Sequence, residues 1–416
     1  MGYRLTKSAA PNTPAANKSE IYMDTADNRI KAIDDKGVIW TLAEDGSKDR
    51  NVLTNGGMRV QQRVATGSTA IPGISTTTRA GQVADRWAIT TSVASNLNWA
   101  QIDTSGTPET GLLARYYGSI IASTAGKKVM ISQFIINAEM AHLRGQKVRF
   151  SIKLNQKVGS GQTYKLGLLQ LAAAGTVDVS PAFLTGAWST VTGTDPAWGT
   201  NLSPITPDAS PTGENGTITG NFLNITSLAA QWQRSSVVFT VPTNAKNLVV
   251  VLFADATGGA TDNLSISECR LTQGTEIIDW VEMPLALEVM RCQRFFCKSF
   301  PLTVVPAASV TEATGGSGAS GIIGKAAATA LAAQISIQFP VQMWKTPVTL
   351  TYFTPTAAGA QVFRLSGTTP AVQTATASRT SSLTDRGVIC TATGDVNGAV
   401  GDVAGVHYTA DAELVA

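Results

Sequence analysis

Charge is what this chain has least of. Asp, Glu, Lys and Arg make up 15% of its 416 residues and the net charge is +3, against about 25% charged residues in ordinary soluble domains. No cluster of Lys and Arg interleaved with aromatics occurs, which removes the electrostatic footprint that nucleic-acid binding needs. Histidine is scarcer still: His142 and His407 are the only two, and neither sits in a metalloprotease or nucleophile-elbow motif. The four cysteines, Cys269, Cys292, Cys297 and Cys390, are too few and too dispersed for a disulfide framework. With no His near them to complete a metal set, they read as small buried hydrophobes. No apolar run approaches the roughly 18 residues of a membrane span. The opening MGYRLTKSAAPNTPAANKSE lacks the apolar core of a signal peptide, and the myristoylation pattern over Gly2 to Thr6 is loose enough to be accidental. Acidic residues vanish between Glu312 and Asp385. The GxGxxG word that runs from Gly316 to Gly321 therefore has no acidic residue about 20 positions on, and it reads as a flexible loop rather than a dinucleotide site.

What the chain does have is Gly, Ser, Thr and Ala in abundance, arranged around short β-type segments. Its length exceeds the roughly 250–300 residues at which a single core stops growing, so two or three domains are expected. Residues 1–18 are rich in Pro, Ala and Asn and read as extended. Residues 19–43 read as a small meander with strands near 20–24, 29–33 and 37–42, in which Val38, Trp40 and Leu42 alternate onto one face. Some 25 residues cannot bury enough apolar surface to fold alone. This piece is therefore expected to pack on other copies or on another protein through Tyr22, Ile30, Ile33, Val38, Trp40 and Leu42. A charged linker, 44–50, follows.

From 51 to 281 the signals are almost all β. Val148, Phe150, Ile152 and Leu154 alternate, while 237–241 and 248–253 are β-branched runs between turn residues. In Leu264, Ile266, Cys269 and Leu271 the apolar phase switches sides, which predicts a β-bulge near Ser267 and Glu268. The expected fold class is all-β: an N-terminal meander, a jelly-roll-like antiparallel sandwich, a connecting helix over 282–298 and a smaller C-terminal sandwich over 299–416. Strands are expected in the last part near 300–305, 335–339, 348–353, 361–365 and 387–392, with 326–333 open between helix and strand. Residues 193–221 read as a long exposed loop.

The connecting segment EMPLALEVMRCQRFF carries the single helical signal. Pro284 suits a first turn, and Leu285, Val289, Cys292 and Phe296 recur as one apolar stripe, with Glu288, Arg291 and Arg294 opposite. A short helix must dock its stripe to persist, so it is expected to clamp two β domains or two chains. This segment also resembles the one that closes the β-sandwich of many bacteriophage fibre proteins. The words Asn51-Val-Leu-Thr-Asn-Gly-Gly-Met58 with Gln62-Arg63, and Asp85-Arg86-Trp87, are similar to the opening of that sandwich. The resemblance covers roughly 51–300. It implies a virion structural protein, a homotrimeric tail or head fibre held to other virion proteins by its N-terminus, made in the bacterial cytoplasm and turned toward host glycans. Two alternatives stay open: a stand-alone carbohydrate-binding protein and a polysaccharide-degrading tailspike.

Sugar recognition needs an aromatic face with amides and carboxylates around it. Trp99, Trp188 and Trp198 are the candidate platforms, with Asp195, Asn201 and Asn215 as polar companions, while Trp87, Trp232, Trp280 and Trp344 read as core. Asp195, Asp208 and Glu214 are the one acidic group near a candidate surface, but carboxylates on a loop lack the fixed geometry of general acids, so no enzyme is expected. No cofactor is expected either. Asp255, Asp262 and Asn263 around a Gly-Gly turn have the oxygen ligands for a structural calcium, and they equally suit a plain Asx turn.

Overall fold

The computed structural model describes residues 7–8, 19–24, 30–34, 39–43, 50–63, 69–74, 81–92, 95–122, 126–158, 162–172, 183–186, 188–209, 215–225, 231–259, 262–302, 305–306, 322–325, 333–353, 361–366, 369–379, 383–393 and 403–413. Among these the protein is nearly all β, with strands gathered into four sheets. The expected 315–321 loop, Glu214 and the ambiguous 326–332 lie outside the described residues.

The N-terminal sheet contains the three expected strands, Ser19–Asp24, Ile30–Asp34 and Ile39–Ala43, paired antiparallel. A fourth, Lys7–Ser8, adds in parallel to Met23 and Asp24, so part of the segment read as merely extended is sheet. Tyr22 and Ile33 are buried in this sheet. Ile30, Trp40 and Leu42 lie in its strands, and Val38 lies outside the described residues.

Residues 69–273 supply the strands of two antiparallel sheets with a single apolar core between them. One sheet runs in the order Thr217–Thr219, Phe222–Ile225, Tyr164–Leu171, Asn247–Ala254, Val129–Ile135, Ala88–Thr91, Gly81–Gln82, with Leu202–Pro204 also on Tyr164–Leu171. The other runs Pro207–Ala209, Gln233–Thr240, Lys147–Val158, Asn263–Gln273, Tyr116–Ala122, Ser95–Asp103, Thr69–Ile74. The chain passes repeatedly between the two sheets, with some neighbouring strands, such as Ser95–Asp103 and Tyr116–Ala122, staying in one, the jelly-roll habit. The alternating Val148, Phe150, Ile152 and Leu154 face the shared core beside Leu166, Val237, Val250 and Ile266. Asn247–Ala254, by contrast, is buried at every position. Its Leu248, Val250 and Leu252 enter the inter-sheet core, while Val249, Val251 and Phe253 enter a second core on the outer side. A strand covered on both faces needs no polar alternation, hence the continuous apolar run.

The bulge falls where the change of phase predicts it. Ser151 pairs with Arg270 and Lys153 with Ser267, so Glu268 and Cys269 together oppose Ile152, and Glu268 takes φ of 50°. The kink turns the Glu268 carboxylate onto the backbone N–H groups of Leu113 and Ala114, at 2.5 and 3.0 Å, and onto Lys153 at 3.0 Å.

The segment 193–221 is not one long irregular loop. It contains three short strands, Leu202–Pro204, Pro207–Ala209 and Thr217–Thr219, and its Leu202 and Ile205 are buried. In the last part of the chain a strand forms earlier than expected, at Phe296–Lys298, and the expected strand near 300–305 lies partly outside the described residues. The other four expected strands are present as Ala333–Gln338, Thr349–Phe353, Gln361–Ser366 and Gly387–Thr393. The hub is Val403–Asp411, which pairs with Phe296–Lys298, Ile322–Lys325, Thr349–Phe353 and Gln361–Ser366 and carried little apolar signal of its own.

Close packing inside the main sandwich is most exacting at Gly118, where an added Cβ would overlap the ring of the fully buried Trp99. Gly118→Ala is expected to cost about 1–3 kcal/mol by overpacking, measured by urea denaturation. Gly106→Ala, where nothing lies within 4 Å, should stay within about 0.5 kcal/mol of the parent.

Candidate functional site

The short words that stood out in the sequence meet at one buried seam. Asn55 adopts φ of 57°, and its Nδ2 donates to the carbonyls of Val60 and Asp85 at 2.7 and 3.1 Å. The Trp87 indole N–H returns to Asn55 O at 3.0 Å. Asp85 accepts from the Gln62 backbone N–H at 3.0 Å and from the Gln62 side-chain amide, which also donates to Phe296 O at 3.2 Å. Arg86 donates to Glu413 at 2.9 Å and to Phe134 O at 2.6 Å, with its guanidinium 3.3 Å from the centre of the Phe295 ring. Arg63 pairs with Asp411 and lies 3.9 Å from the Phe296 ring centre. Lys298 donates to the carbonyls of Gln62 and Leu302 at 2.9 and 3.0 Å. The opening of the sandwich and the end of the chain are thus bonded through groups shielded from water.

The helix between them spans Leu285–Gln293, with Pro284 just outside it as the cap rather than in its first turn. Its orientation differs from the sequence expectation. Leu285, assigned to the apolar stripe, is 39% exposed, Val289 is half-buried, and only Cys292 and Phe296 are buried, Phe296 in the strand that follows. Glu288, assigned to the outer face, is 5% exposed and accepts from the Asn55 N–H at 2.5 Å. Backbone groups of Asn51, Val52, Leu53 and Asn55 face this part of the helix. An unpaired buried N–H costs more than a forgone apolar contact, so the carboxylate turns inward. Burial raises the Glu288 carboxyl above its usual value, opposed by that hydrogen bond and by Arg291. Arg291 reaches the carbonyls of Asn51, Val52 and Leu53 at 3.2–3.3 Å.

The proposed sugar platforms are packed rather than open. Trp99 is 0% exposed and donates to Gln61 at 3.1 Å. Trp188 is 2% exposed, donates to Thr194 O at 3.2 Å and meets Phe253 edge-on. Trp198 is half-buried among Phe183, Phe222 and Phe253. Trp188 and Trp198 belong to a cover over the outer face of the eight-stranded sheet, pinned by Lys128 to the carbonyls of Val191 and Thr194 and by Lys165 to Asp195 and Asp255. Asn201 is exposed with φ of 67°, and Asn215 bonds to Gln233. These six residues therefore form no common binding face: the sheet's outer apolar residues required cover, and the aromatics supply it. Asp208 is engaged by Thr240 and Lys147.

The oxygens named for a structural calcium are engaged within the fold. Asp262 accepts from the Gly259 N–H at 2.7 Å and from Gln162 at 2.9 Å, Asn263 accepts from Ser119 at 2.6 Å, and Asp255 faces Lys165. Among the described residues no group of three or more His, Cys, Asp or Glu is placed to hold a metal. His407 is 1% exposed, stacked on Phe300, with Ser299 Oγ 3.0 Å from its Nδ1; neither side chain lines a described cleft.

Two clefts flank the helix instead. The larger, about 700 Å³, is lined by Arg50, Met283, Leu287, Met290, Arg291, Arg294, Met343, Trp344 and Asp385 among others. The smaller, about 340 Å³, is lined by Arg59, Gln61, Gln101, Asp103, Tyr116, Leu285 and Leu302. The sequence held a signal for the first in the Arg291 and Arg294 pair on the polar face of the helix. It held none for Trp344, which read as core and is half-buried at the cleft wall, its N–H on Ala412 O at 2.6 Å.

No family model matches the chain, and no curated protein matches it. Among solved structures it is similar to the enzymatically active domain of tailspike protein 4 of bacteriophage CBA120, at 10% identity and a TM-score of 0.28, over 54% of this chain and only 21% of that one. It is also similar to a putative sugar-binding protein of Bacteroides thetaiotaomicron, at 11% identity and a TM-score of 0.31, over 54% of this chain and 100% of the other. A xylan-binding domain from Paenibacillus barcinonensis is similar at 9% identity and a TM-score of 0.25, over 51% and 100%. At these scores the function has to be read from the chain's own residues.

Burial at the seam, only partly offset by Arg63 and the bonds from Gln62, raises the Asp85 carboxyl from 3.8 to about 6. A carboxyl raised on folding contributes stability that is complete below its unfolded value and lost as pH rises through its folded one. Urea midpoints are therefore expected to fall between about pH 4 and 6 through Asp85, and Asp85→Asn should flatten that step. An unchanged profile in the variant would show that the step belongs to other groups.

Proposed function

We propose that the chain is a non-enzymatic structural component of a bacteriophage virion, a homotrimeric tail or head fibre or decoration that binds host-surface glycans. In this reading residues 1–50 anchor to other virion proteins, 51–281 and 299–416 are β-sandwich units, and 282–298 joins them. The observation that carries the reading is the unsatisfied apolar surface beside the helix. Ile277, Val281 and Leu285 are 41, 80 and 39% exposed within nine residues, on a segment whose backbone carbonyls are held by Arg270 and Arg59. Exposed apolar residues concentrated in this way mark association surfaces, and other copies of the chain are the natural cover. The N-terminal sheet supports the same reading, because its strands pack chiefly on one another and are too small a unit to stand alone. The resemblance of the opening words and of the helix to phage fibre sandwiches adds the virion setting. Among the described residues no helix is long and apolar enough to cross a membrane, and the low, scattered charge gives nucleic acid nothing to hold.

Light scattering on the full chain and on a form lacking residues 1–50 tests assembly. A mass three times that of the chain is expected for the full protein, and the shortened form reports whether the N-terminal sheet or the surface near Leu285 holds the copies together. A monomer in both forms overturns the self-assembled fibre and leaves the stand-alone glycan-binding reading.

A further inference from the structure

The larger cleft beside the helix has a composition unlike the rest of this charge-poor surface. On the helix, Leu287 and Met290 are three residues apart and share one face, turned away from Leu285. They are 52 and 50% exposed and form an apolar wall with Met283, Met343 and the half-buried Trp344. Three guanidinium groups border that wall, those of Arg50, Arg291 and Arg294, and one carboxylate, Asp385. Asp385 is already bonded to the Gln342 amide at 2.6 Å. Glu139 approaches Arg294 only to 3.9 Å. The site thus gathers positive charge around an apolar floor, in a volume of about 700 Å³ that falls inside the ~300–1,000 Å³ of small-molecule sites.

We infer that this cleft binds an acidic saccharide, with its carboxylate between the arginines and the C–H face of its ring on the Met and Trp wall. The inference rests on the glycan-binding part of the function proposed above and names its ligand class. Each part of the wall suits that chemistry. A planar guanidinium meets a carboxylate through two parallel N–H bonds. Thioether side chains adapt to the irregular face of a sugar ring. The Trp344 N–H is committed to Ala412 O and its ring already meets Phe295 and the Lys345 ammonium, so the indole offers the rest of its apolar edge rather than a donor, beside the more open thioethers. Arg291 is held against three carbonyls, which makes it a fixed charge, whereas Arg50 is exposed and Arg294 is 41% exposed, so both can close on the ligand.

Calorimetry on the full chain, with an oligogalacturonate and with its methyl ester, tests the charge requirement on an unchanged sugar backbone. The acid form is expected to bind, to weaken as salt rises and to be preferred about tenfold or more over the ester. Arg294→Gln and Arg50→Gln, neither of which holds the backbone seam, should each weaken the acid form by about the same factor and leave the ester unchanged. Equal binding of acid and ester, or affinities unaffected by both substitutions, overturns the inference while leaving glycan binding standing. Binding of neither saccharide overturns the inference, and failure across neutral glycans as well removes the glycan reading too. Displacement of the acid form by inorganic phosphate at equal concentration would reduce the site to a plain anion site and overturn the saccharide assignment.

Discussion

Arg86 lies 2% exposed between the sandwich and the last residues of the chain, bonded to Phe134 O and Glu413 and stacked on Phe295. A buried cation is tolerable only when paired and hydrogen-bonded, and removing one partner of such a pair costs about 3–5 kcal/mol. That requirement draws several distant pieces to one place. Glu413 must come from the C-terminus, Phe295 from the end of the helix, and Phe134 from a strand of the sandwich. Asn55, Gln62 and Asp85 then close the backbone around it. The connecting helix is consequently less a free clamp than one side of this polar seam, which is why Glu288 faces inward and Leu285 outward.

The sandwich solves a second problem by the same logic. One of its sheets is apolar on both faces, so a cover is needed outside the main core, and the segment around Trp188 and Trp198 provides it. Aromatic residues in a turn-rich segment look available for ligand when only the chain order is known. Here their rings are held by Phe183, Phe222 and Phe253, and the polar residues near them are tied to Lys165 and Gln233. Open surface lies elsewhere, on the two sides of a helix whose inner side is already committed. Its Leu285 side carries the surface assigned to other copies, and its Leu287 and Met290 side borders the arginine-lined cleft. The two proposals therefore use different faces of one element and do not compete for it.

Much was legible from the residues alone. Period-two alternation marked Lys147–Val158, a change of phase marked the bulge at Glu268, and an unbroken apolar run marked Asn247–Ala254. These are local signals, each set by the geometry of a strand against one or two covered faces. The strand at the centre of the C-terminal sheet, Val403–Asp411, escaped notice because Gly, Thr and His interrupt its apolar positions. Its place is secured by four neighbouring strands rather than by its own propensity.

The sequence by itself determined the fold class, the strand periods, the position of the bulge and the existence of one short helix, since all of these follow from spacing along the chain. Only the tertiary structure decided which way that helix faces, which tryptophans are enclosed, and that Asn55, Asp85, Arg86, Glu288 and Glu413 form one seam. Those outcomes depend on which unpaired donors and apolar faces come together across hundreds of residues. No local pattern records that meeting, because the cost of an unsatisfied group arises only once the surrounding water is gone.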